Sequence, residues 1–156
     1  MILTSASLPG ILKKLRREGK KLVFTNGCFD IIHYGHVDYL EKAKKMGDAL
    51  MVGLNSDSSV RRLKGKTRPI NGQKARARVL GALKPVDFVV IFTQDTPLEL
   101  IKKVRPDVLV KGGDWKPKDI VGSGFVQSYG GRVRSIKYVK NFSTSSIIEK
   151  AVKLNI

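Results

Sequence analysis

The chain has 156 residues, of which 42% are hydrophobic, and a chain of this length can bury roughly two thirds of its unfolded surface. We therefore expect one globular domain rather than a disordered or repeat protein. The longest apolar runs, such as 88–92, fall far short of the roughly 20 residues that a membrane span needs, and the N-terminus lacks a leader pattern. The single cysteine, Cys28, cannot form an internal disulfide. A cytoplasmic protein without membrane insertion is expected.

A net charge of +17 is the strongest compositional bias, with 30 Lys and Arg residues against 13 Asp and Glu. Such a charge favours anionic partners. The basic segment 13–21 is compatible with nucleic-acid binding, but the charge is spread along the chain and no helix-turn-helix, zinc-finger or aromatic RNA-binding motif accompanies it. We interpret the segment as a solvated helix face and do not expect a nucleic-acid partner. Small phosphorylated substrates also suit this charge.

Apolar runs of strand length alternate with stretches of helical period along the chain. An N-terminal helix is predicted from about Leu8 to Arg17 and a last helix from about Thr144 to Leu154. Because most runs are continuously apolar, they are typical of parallel strands covered on both faces. The predicted fold is α/β, a Rossmann-like, doubly wound, parallel five-stranded sheet with helices on both faces. Its strands are 21–25, 49–54, 88–92, 108–110 and 133–139, and the helices between them are 37–46, 73–83, 97–104 and 120–129.

This pattern predicts one domain over residues 1–156, with 1–20 as a helical extension and 21–156 as the core. In a doubly wound sheet, ligands bind beyond the carboxyl ends of the strands. The loops that follow the strands are therefore the places where functional residues are expected.

The loop after the first predicted core strand contains both histidines of the chain, His33 and His36. Their spacing places the two rings on the same side of a helical turn, and Gly35 between them lets a ligand approach the backbone. A helix N-terminus at this point directs N–H groups and the positive end of the dipole at an anion. Two imidazoles there can donate hydrogen bonds to phosphoryl oxygens during displacement at phosphorus.

Two other interpretations of the histidine pair remain open from the pair alone. A zinc site fits poorly, because the chain has no third histidine and Cys28 precedes the pair by five residues, so carboxylates would have to complete the coordination. The histidines could also be ordinary packed or capping residues.

Several motifs together resemble a known family. Gly27-Cys28-Phe29-Asp30 followed by His33-Tyr34-Gly35-His36 resembles the G-x-F-D and H-x-G-H signatures of the cytidylyltransferase-like nucleotidyltransferases. The segment 143–148, Ser-Thr-Ser-Ser-Ile-Ile, is similar to their closing S-T-x-x-I-I element. Within that superfamily, the chain from Lys21 onward resembles the adenylyltransferases of ADP-heptose synthesis, through segments 52–57, 62–65, 68–71 and 110–114.

The resemblance implies transfer of AMP from ATP to D-glycero-β-D-manno-heptose 1-phosphate, giving ADP-heptose, a lipopolysaccharide core precursor, and pyrophosphate. It implies that His33, His36 and Lys64 are catalytic, with His36 stabilising the transition state. Mg²⁺ is expected to be carried by the triphosphate, without direct protein ligands. The implied acceptor-binding residues are Asp30, Asn55, Asp57 and Arg68. The implied nucleotide-binding residues are Asn26, Gly27, Cys28, Phe29, Gly35, Arg76, Lys111, Gly113, Asp114, Ser143, Thr144 and Ser145.

Several of these residues also have simpler interpretations. Lys64 and Arg76 could be solvated surface cations, and Asp114 could cap a tight turn. Asp30 could bind sugar hydroxyls, orient a histidine, help hold magnesium or cap the following helix. Ser143 is equally well explained as a helix cap.

The resemblance also implies a homodimer, and larger relatives fuse this domain to a sugar kinase, so the heptose 7-phosphate kinase is expected as a separate protein. The chain departs from the heptose enzymes at Asn141-Phe142, where they carry Gly-Arg; Lys137 or Lys140 could supply the missing cation. The acceptor is therefore the least secure part of the interpretation. A CTP:glycerol-3-phosphate cytidylyltransferase, or an enzyme with another phosphorylated acceptor, is the first alternative. A nucleic-acid-binding protein without activity is the second.

Overall fold

The computed structural model describes residues 1–140 and 142–154. Helices and strands alternate as the sequence predicts. The strands are β1 (Ile2–Leu3), β2 (Leu22–Gly27), β3 (Ala49–Asn55), β4 (Phe88–Phe92), β5 (Val108–Gly112) and β6 (Arg132–Ile136). The helices are α1 (Leu8–Arg17), α2 (Tyr34–Lys44), α3 (Asp57–Lys64), α4 (Gln73–Gly81), α5 (Leu98–Val104), a 3₁₀ turn (Pro117–Asp119), α6 (Ser123–Ser128) and α7 (Thr144–Lys153).

Within the described residues, six strands form one parallel sheet in the order β1-β4-β3-β2-β5-β6. This confirms the α/β, doubly wound fold but corrects the number of strands from five to six. The extra strand is β1, in which Ile2 and Leu3 pair with Val89 and Val90 at the edge of the sheet. It is only two residues long, too short for an apolar run to reveal it.

Two further elements differ from the prediction. Residues 57–64 form helix α3 instead of a loop, so Lys64 ends a helix; Ser56 begins this helix by accepting a hydrogen bond from the Ser59 N–H at 3.2 Å. The helix predicted over 120–129 is shorter, because Gly122, in a left-handed conformation, starts it at Ser123. Helix α3 is polar and buries little surface, so its periodic signal in the sequence is weak.

The core lies on both faces of the sheet. One cluster of buried residues includes Leu8, Leu12 and Leu15 of α1, which pack with Phe24 and Met51 of the central strands. A second cluster on the opposite side is built from α2 and α4 against the same strands. The N-terminal segment therefore contributes both an edge strand and a packed helix to the fold.

The order of the strands positions the site. The chain moves from β2 outward to β3 and β4 on one side, and β5 lies on the other side of β2. The direction of winding thus reverses between β2 and β5, and ligands of doubly wound proteins bind at such a reversal. Asn26 and Gly27 end β2 there, and Gly112 ends β5.

Across the described residues, no helix combines the length and the apolar character that crossing a membrane requires.

Candidate active site

A cleft of about 380 Å³ opens at the carboxyl edge of the sheet, beside the ends of β2 and β5. It brings together residues from four loops that are distant in sequence. Ten of its lining residues were predicted as functional from the sequence. They are Asn26, Gly27, Cys28, Phe29, Asp30, His36, Asn55, Lys64, Lys111 and Thr144.

The loop from β2 to α2 makes a tight turn at the floor of the cleft. Phe29 adopts φ +43°, which is uncommon for a residue with a side chain, and its ring is buried. A Cβ on Gly27 would lie 2.9 Å from the Phe29 ring, so glycine is required there by close packing. The ring of Phe29 in turn lies 5.1 Å from that of His36. The turn thereby fixes the position of the second histidine.

His33 and His36 stack at the N-terminus of α2, with ring centroids 3.8 Å apart and planes 24° from parallel. His33 is the residue that precedes the helix, although its side chain does not cap it. Among residues 1–140 and 142–154, no group hydrogen-bonds the buried Nδ1 atom of either ring. The Nδ1 atom of His33 faces the backbone of Gly35, where a Cβ would lie 3.2 Å away, and of the two histidines only His36 lines the cleft.

The surroundings keep both imidazoles uncharged at neutral pH. Burial, helped by the nearby His33 and Lys64, lowers the pKa of His36 to about 4, and burial lowers the pKa of His33 as well. A neutral imidazole presents one N–H donor and one acceptor nitrogen. The pair can therefore donate hydrogen bonds to phosphoryl oxygens without a change of protonation.

Two lysines supply positive charge to the cleft. Lys64 reaches it from the end of α3, and Lys111 from β5. Burial lowers the pKa of Lys111, and the repulsion from Lys64 acts in the same direction, whereas Cys28 opposes it. Because both side chains line the same cleft, an anion bound there would be attracted to both.

Asp30 lies at the cleft but its carboxylate is already occupied. It accepts hydrogen bonds from Arg68 Nε at 2.7 Å and from the N–H groups of Ile70 and Asn71, both at 2.9 Å. Although burial favours the neutral acid, these donors hold the pKa of Asp30 below its usual value. The structure thus pairs Asp30 with Arg68, and the pair ties segment 68–71 to the histidine loop. Their direct contact with an acceptor stays a prediction.

Arg76, predicted to bind the nucleotide, has three protein partners. Its side chain is fully buried beneath the loop, and its guanidinium donates to the carbonyls of Cys28 at 2.6 Å and Asn71 at 2.9 Å and to Asp57 Oδ1 at 2.7 Å. In this arrangement Arg76 braces the loop that lines the cleft. Its direct contact with the nucleotide stays a prediction.

Asn55 and Asp57, the other predicted acceptor-binding residues, also have protein partners. The Asn55 amide is buried, lines the cleft and donates to Ser59 Oγ at 2.9 Å. Burial disfavours the charged form of Asp57, but hydrogen bonds from Arg76 and from the backbone outweigh it and lower the pKa of this carboxyl.

The C-terminal motif closes one side of the cleft. Ser143 caps α7 by accepting from the Ser146 N–H at 3.0 Å, Thr144 lines the cleft and donates to the Ile31 carbonyl at 3.4 Å, and Ser145 is exposed. Phe142 packs on Tyr34, with ring centroids 5.2 Å apart.

Gly35, predicted to leave room for a ligand, faces Phe142 instead: a Cβ on Gly35 would lie 3.2 Å from the Phe142 Cβ. Asn141 lies outside the described residues. Lys137 and Lys140, predicted to compensate for the missing arginine, are exposed and do not line the cleft.

The loop after β5 is partly as predicted. Gly113 has φ +113°, a conformation that favours glycine, whereas Asp114 is exposed and lies outside the cleft lining. Several residues that line the cleft were not predicted as site residues. They are Tyr39, Leu63, Asp95, Thr96, Pro97, Gly112, Val121 and Tyr138. The rule that ligands bind beyond strand carboxyl ends could have indicated 95–97, which follow β4.

Comparisons with known proteins identify the family of the chain. Residues 24–150 match the family described as cytidylyltransferase-like. The chain is 56% identical over 144 residues to the bifunctional protein HldE of Syntrophotalea carbinolica, covering 92% of this chain and 29% of that protein. It is 58% identical over 140 residues to bifunctional protein HldE of Campylobacter jejuni, covering 90% of this chain and 30% of that protein. The chain therefore spans less than a third of the curated relatives that it matches.

A solved structure has the same fold. The crystal structure of the lipopolysaccharide core biosynthesis protein from Thermoplasma volcanium superposes with a TM-score of 0.65 at 29% identity, covering 80% of this chain and 100% of that one. The matched segment 24–150 includes the stacked histidines, both cleft lysines and the capped start of α7. The family match, the similar relatives and the shared fold together show that the chain belongs to the cytidylyltransferase-like family of nucleotidyltransferases.

Proposed function

We propose that this chain transfers AMP from ATP to D-glycero-β-D-manno-heptose 1-phosphate, which yields ADP-heptose for the lipopolysaccharide core and releases pyrophosphate. The observation that carries the proposal is the stacked, uncharged His33–His36 pair at the N-terminus of α2, with His36 in the lining of the cleft beside Lys64 and Lys111. The choice of acceptor rests on the sequence resemblance, and the similarity to a solved lipopolysaccharide core biosynthesis protein supports it.

The reaction is an in-line displacement at the α-phosphorus. A phosphate oxygen of the sugar 1-phosphate forms the new P–O bond while the bond from the α-phosphorus to the oxygen bridging to the β-phosphate breaks, and pyrophosphate leaves with that electron pair. The attacking oxygen is already anionic, so the acceptor gives up no proton. His36 donates a hydrogen bond to the α-phosphoryl oxygens as their charge increases, and Lys64 and Lys111 offset the charge of the two phosphate groups.

Mg²⁺ is proposed as the metal that accompanies ATP. In the described part of the chain, no three His, Cys, Asp or Glu side chains converge to hold a metal, and the Asp30 carboxylate is already paired with Arg68 and backbone N–H groups. Mg²⁺ prefers phosphate oxygens and retains water ligands, so the triphosphate itself is the natural carrier. When bound, it neutralises triphosphate charge.

The remaining expectations are part of the same proposal. Residues 1–156 act as one nucleotidyltransferase domain with 1–20 as its N-terminal extension, the protein functions in the cytoplasm as a homodimer, and a separate kinase supplies the heptose phosphate. The domain and the location are inferred from the length, the element pattern and the composition, and the homodimer and the separate kinase from the resemblance.

A matrix of nucleoside triphosphates against sugar and polyol phosphates, read by pyrophosphate release, tests the proposal. ATP with heptose 1-phosphate should give the fastest release. Fastest release from CTP with glycerol 3-phosphate would replace the proposal with the cytidylyltransferase alternative. Salt-sensitive binding to DNA or RNA without pyrophosphate release from any pair would refute a transferase altogether.

His36→Ala tests the proposed chemistry. Loss of one hydrogen-bond donor to the transition state should lower kcat about 10²–10³-fold and change the KM for ATP little. Asp38→Ala is the matched control, because Asp38 lies on the same helix and pairs with Lys42. A His36→Ala variant with full turnover would remove His36 from the mechanism.

A further inference from the structure

The two strands that flank the cleft are paired along only part of their length. In the part of the chain that the structure describes, the register of β2 with β5 covers residues 23–24 of β2 and 108–109 of β5. Both strands continue beyond these pairs, as 25–27 and 110–112, and residues of both continuations line the cleft. The width of the cleft therefore depends on what joins β2 to β5 beyond the last pair.

The hydroxyl of Tyr39 joins the two strands at the first position beyond their pairing. Thr25 and Val110 are the next residues in the register, and the Tyr39 hydroxyl hydrogen-bonds the Thr25 hydroxyl and donates to the Val110 carbonyl at 3.3 Å. All three residues are buried. The phenol of a neighbouring helix thus connects β2 and β5 at the point where their own pairing stops.

The protonation state of Tyr39 suits this connection. Burial raises the pKa of Tyr39, so the hydroxyl keeps its proton at neutral pH. A tyrosine hydroxyl has a single proton, and because it goes to the Val110 carbonyl, the Tyr39 oxygen accepts from Thr25. Removal of the hydroxyl takes one partner from each of two buried polar groups, which weakens the connection at both strands.

Tyr39 also lies on the helix that carries the second histidine. His36 and Tyr39 are three residues apart on α2, and residues with this spacing lie on the same side of a helix. Val110 directly precedes Lys111, which lines the cleft opposite the histidine loop. One hydroxyl therefore connects the helix that positions His36 to the strand that positions Lys111. A displacement of about 1 Å between groups that act together can cost about 10²-fold in rate.

We propose that Tyr39 is a positioning residue of the transferase: its hydroxyl joins β2 to β5 where their pairing stops, and it thereby sets the distance across the cleft from His36 to Lys111. This inference rests on the proposed transferase function. It adds to that function a residue that acts through the placement of the groups around the phosphates rather than through the chemistry itself.

The first test compares two tyrosines that each lose only a hydroxyl. Tyr39→Phe should lower kcat about tenfold and leave the KM for ATP within about threefold. Tyr129→Phe is the matched control, because the Tyr129 hydroxyl donates to the Pro106 carbonyl at 2.9 Å, before the opposite end of β5. Its kcat should stay within about twofold of wild type. Equal kcat values in the two variants would overturn the positioning role. A raised KM for ATP at full kcat in Tyr39→Phe would also overturn it, because Tyr39 would then be a binding contact.

A double-mutant cycle tests whether Tyr39 acts through Lys111. If the Tyr39 hydroxyl matters because it places Lys111, its removal should change kcat by less than about twofold in a Lys111→Ala enzyme. The full loss of about tenfold in that background would show that the two residues act independently and would overturn the proposal.

Cys28 provides a test that needs no turnover. It is the only cysteine of the chain and lines the cleft, so the rate of its alkylation by iodoacetamide reports on access to the cleft. Well below the Tm of each variant, Tyr39→Phe should change this rate several-fold, whereas Tyr129→Phe should not. An unchanged rate in Tyr39→Phe would overturn the inference and leave the transferase function standing. A changed rate in a protein that releases no pyrophosphate with any substrate pair would refute the function and support the connection made by Tyr39.

Discussion

Replacing Arg76 with alanine should destabilise the protein strongly, although the sequence gives it the appearance of a surface residue. The change leaves the Asp57 carboxylate and the carbonyls of Cys28 and Asn71 without their donor. Removing one partner of a buried ion pair costs about 3–5 kcal/mol. Because the Asp57 side chain retains 27% exposure, water can solvate the remaining charge, and we expect the lower end, about 3 kcal/mol. For a chain of this size, that lowers Tm by roughly 6–12 °C.

Thermal and urea denaturation of matched variants measure this loss. Arg78→Ala is the control, because Arg78 is exposed on the same helix and its removal should change the free energy of unfolding by less than about 0.5 kcal/mol. Arg76→Lys should be intermediate, since one ammonium cannot reproduce the fork that reaches three acceptors. Equal Tm values for Arg76→Ala and Arg78→Ala would refute the bracing role and return Arg76 to the surface.

Two further predictions concern titratable groups of the site. The pKa of His36 is about 4 in the folded protein against 6.5 ordinarily, so only the unfolded chain takes up a proton between these values. Wild type should therefore lose stability as pH falls from about 6.5 to about 4, by at most about 3 kcal/mol before solvent screening, and His36→Asn should remove this loss in pH-dependent denaturation. Asp30→Asn should cost about 2–4 kcal/mol, because it disrupts a buried carboxylate that accepts three hydrogen bonds. Asp38→Asn, on a surface pair, should cost at most about 1 kcal/mol in the same urea titration, and equal losses would contradict the buried network.

The sequence predicts the sheet well because its strands are buried on both faces. A run such as Phe88 to Phe92 admits few other interpretations in a chain with helical stretches on either side. The elements that were missed bury little. β1 has two residues, and α3 contains mainly polar residues around the buried Val60, so neither has a clear period. The formation of β1 depends on its pairing with β4, and that of α3 on the cap at Ser56. Neither interaction is visible in the periodicity of the sequence.

The place of the candidate site in the fold could be predicted where rare residues form a motif. His33, His36 and their helix were located correctly from two histidines and a strand-to-helix transition. The partners of charged residues could not be predicted in the same way. Arg76 and Arg78 are two residues apart, on opposite sides of one helix, and look alike in sequence. Only Arg76 is buried, and its acceptors come from segments up to 48 residues away, which no local pattern reveals.

The three partners of Arg76 have a consequence for changing what this enzyme accepts. Cys28 lies in the loop after β2, Asp57 begins α3 and Asn71 lies in the loop after α3, so a single guanidinium joins three neighbouring segments into one block. A substitution in any of them must be accommodated by the other two. Redesign for a new acceptor at the predicted residues Asp30, Asp57 and Arg68 should therefore change these segments together.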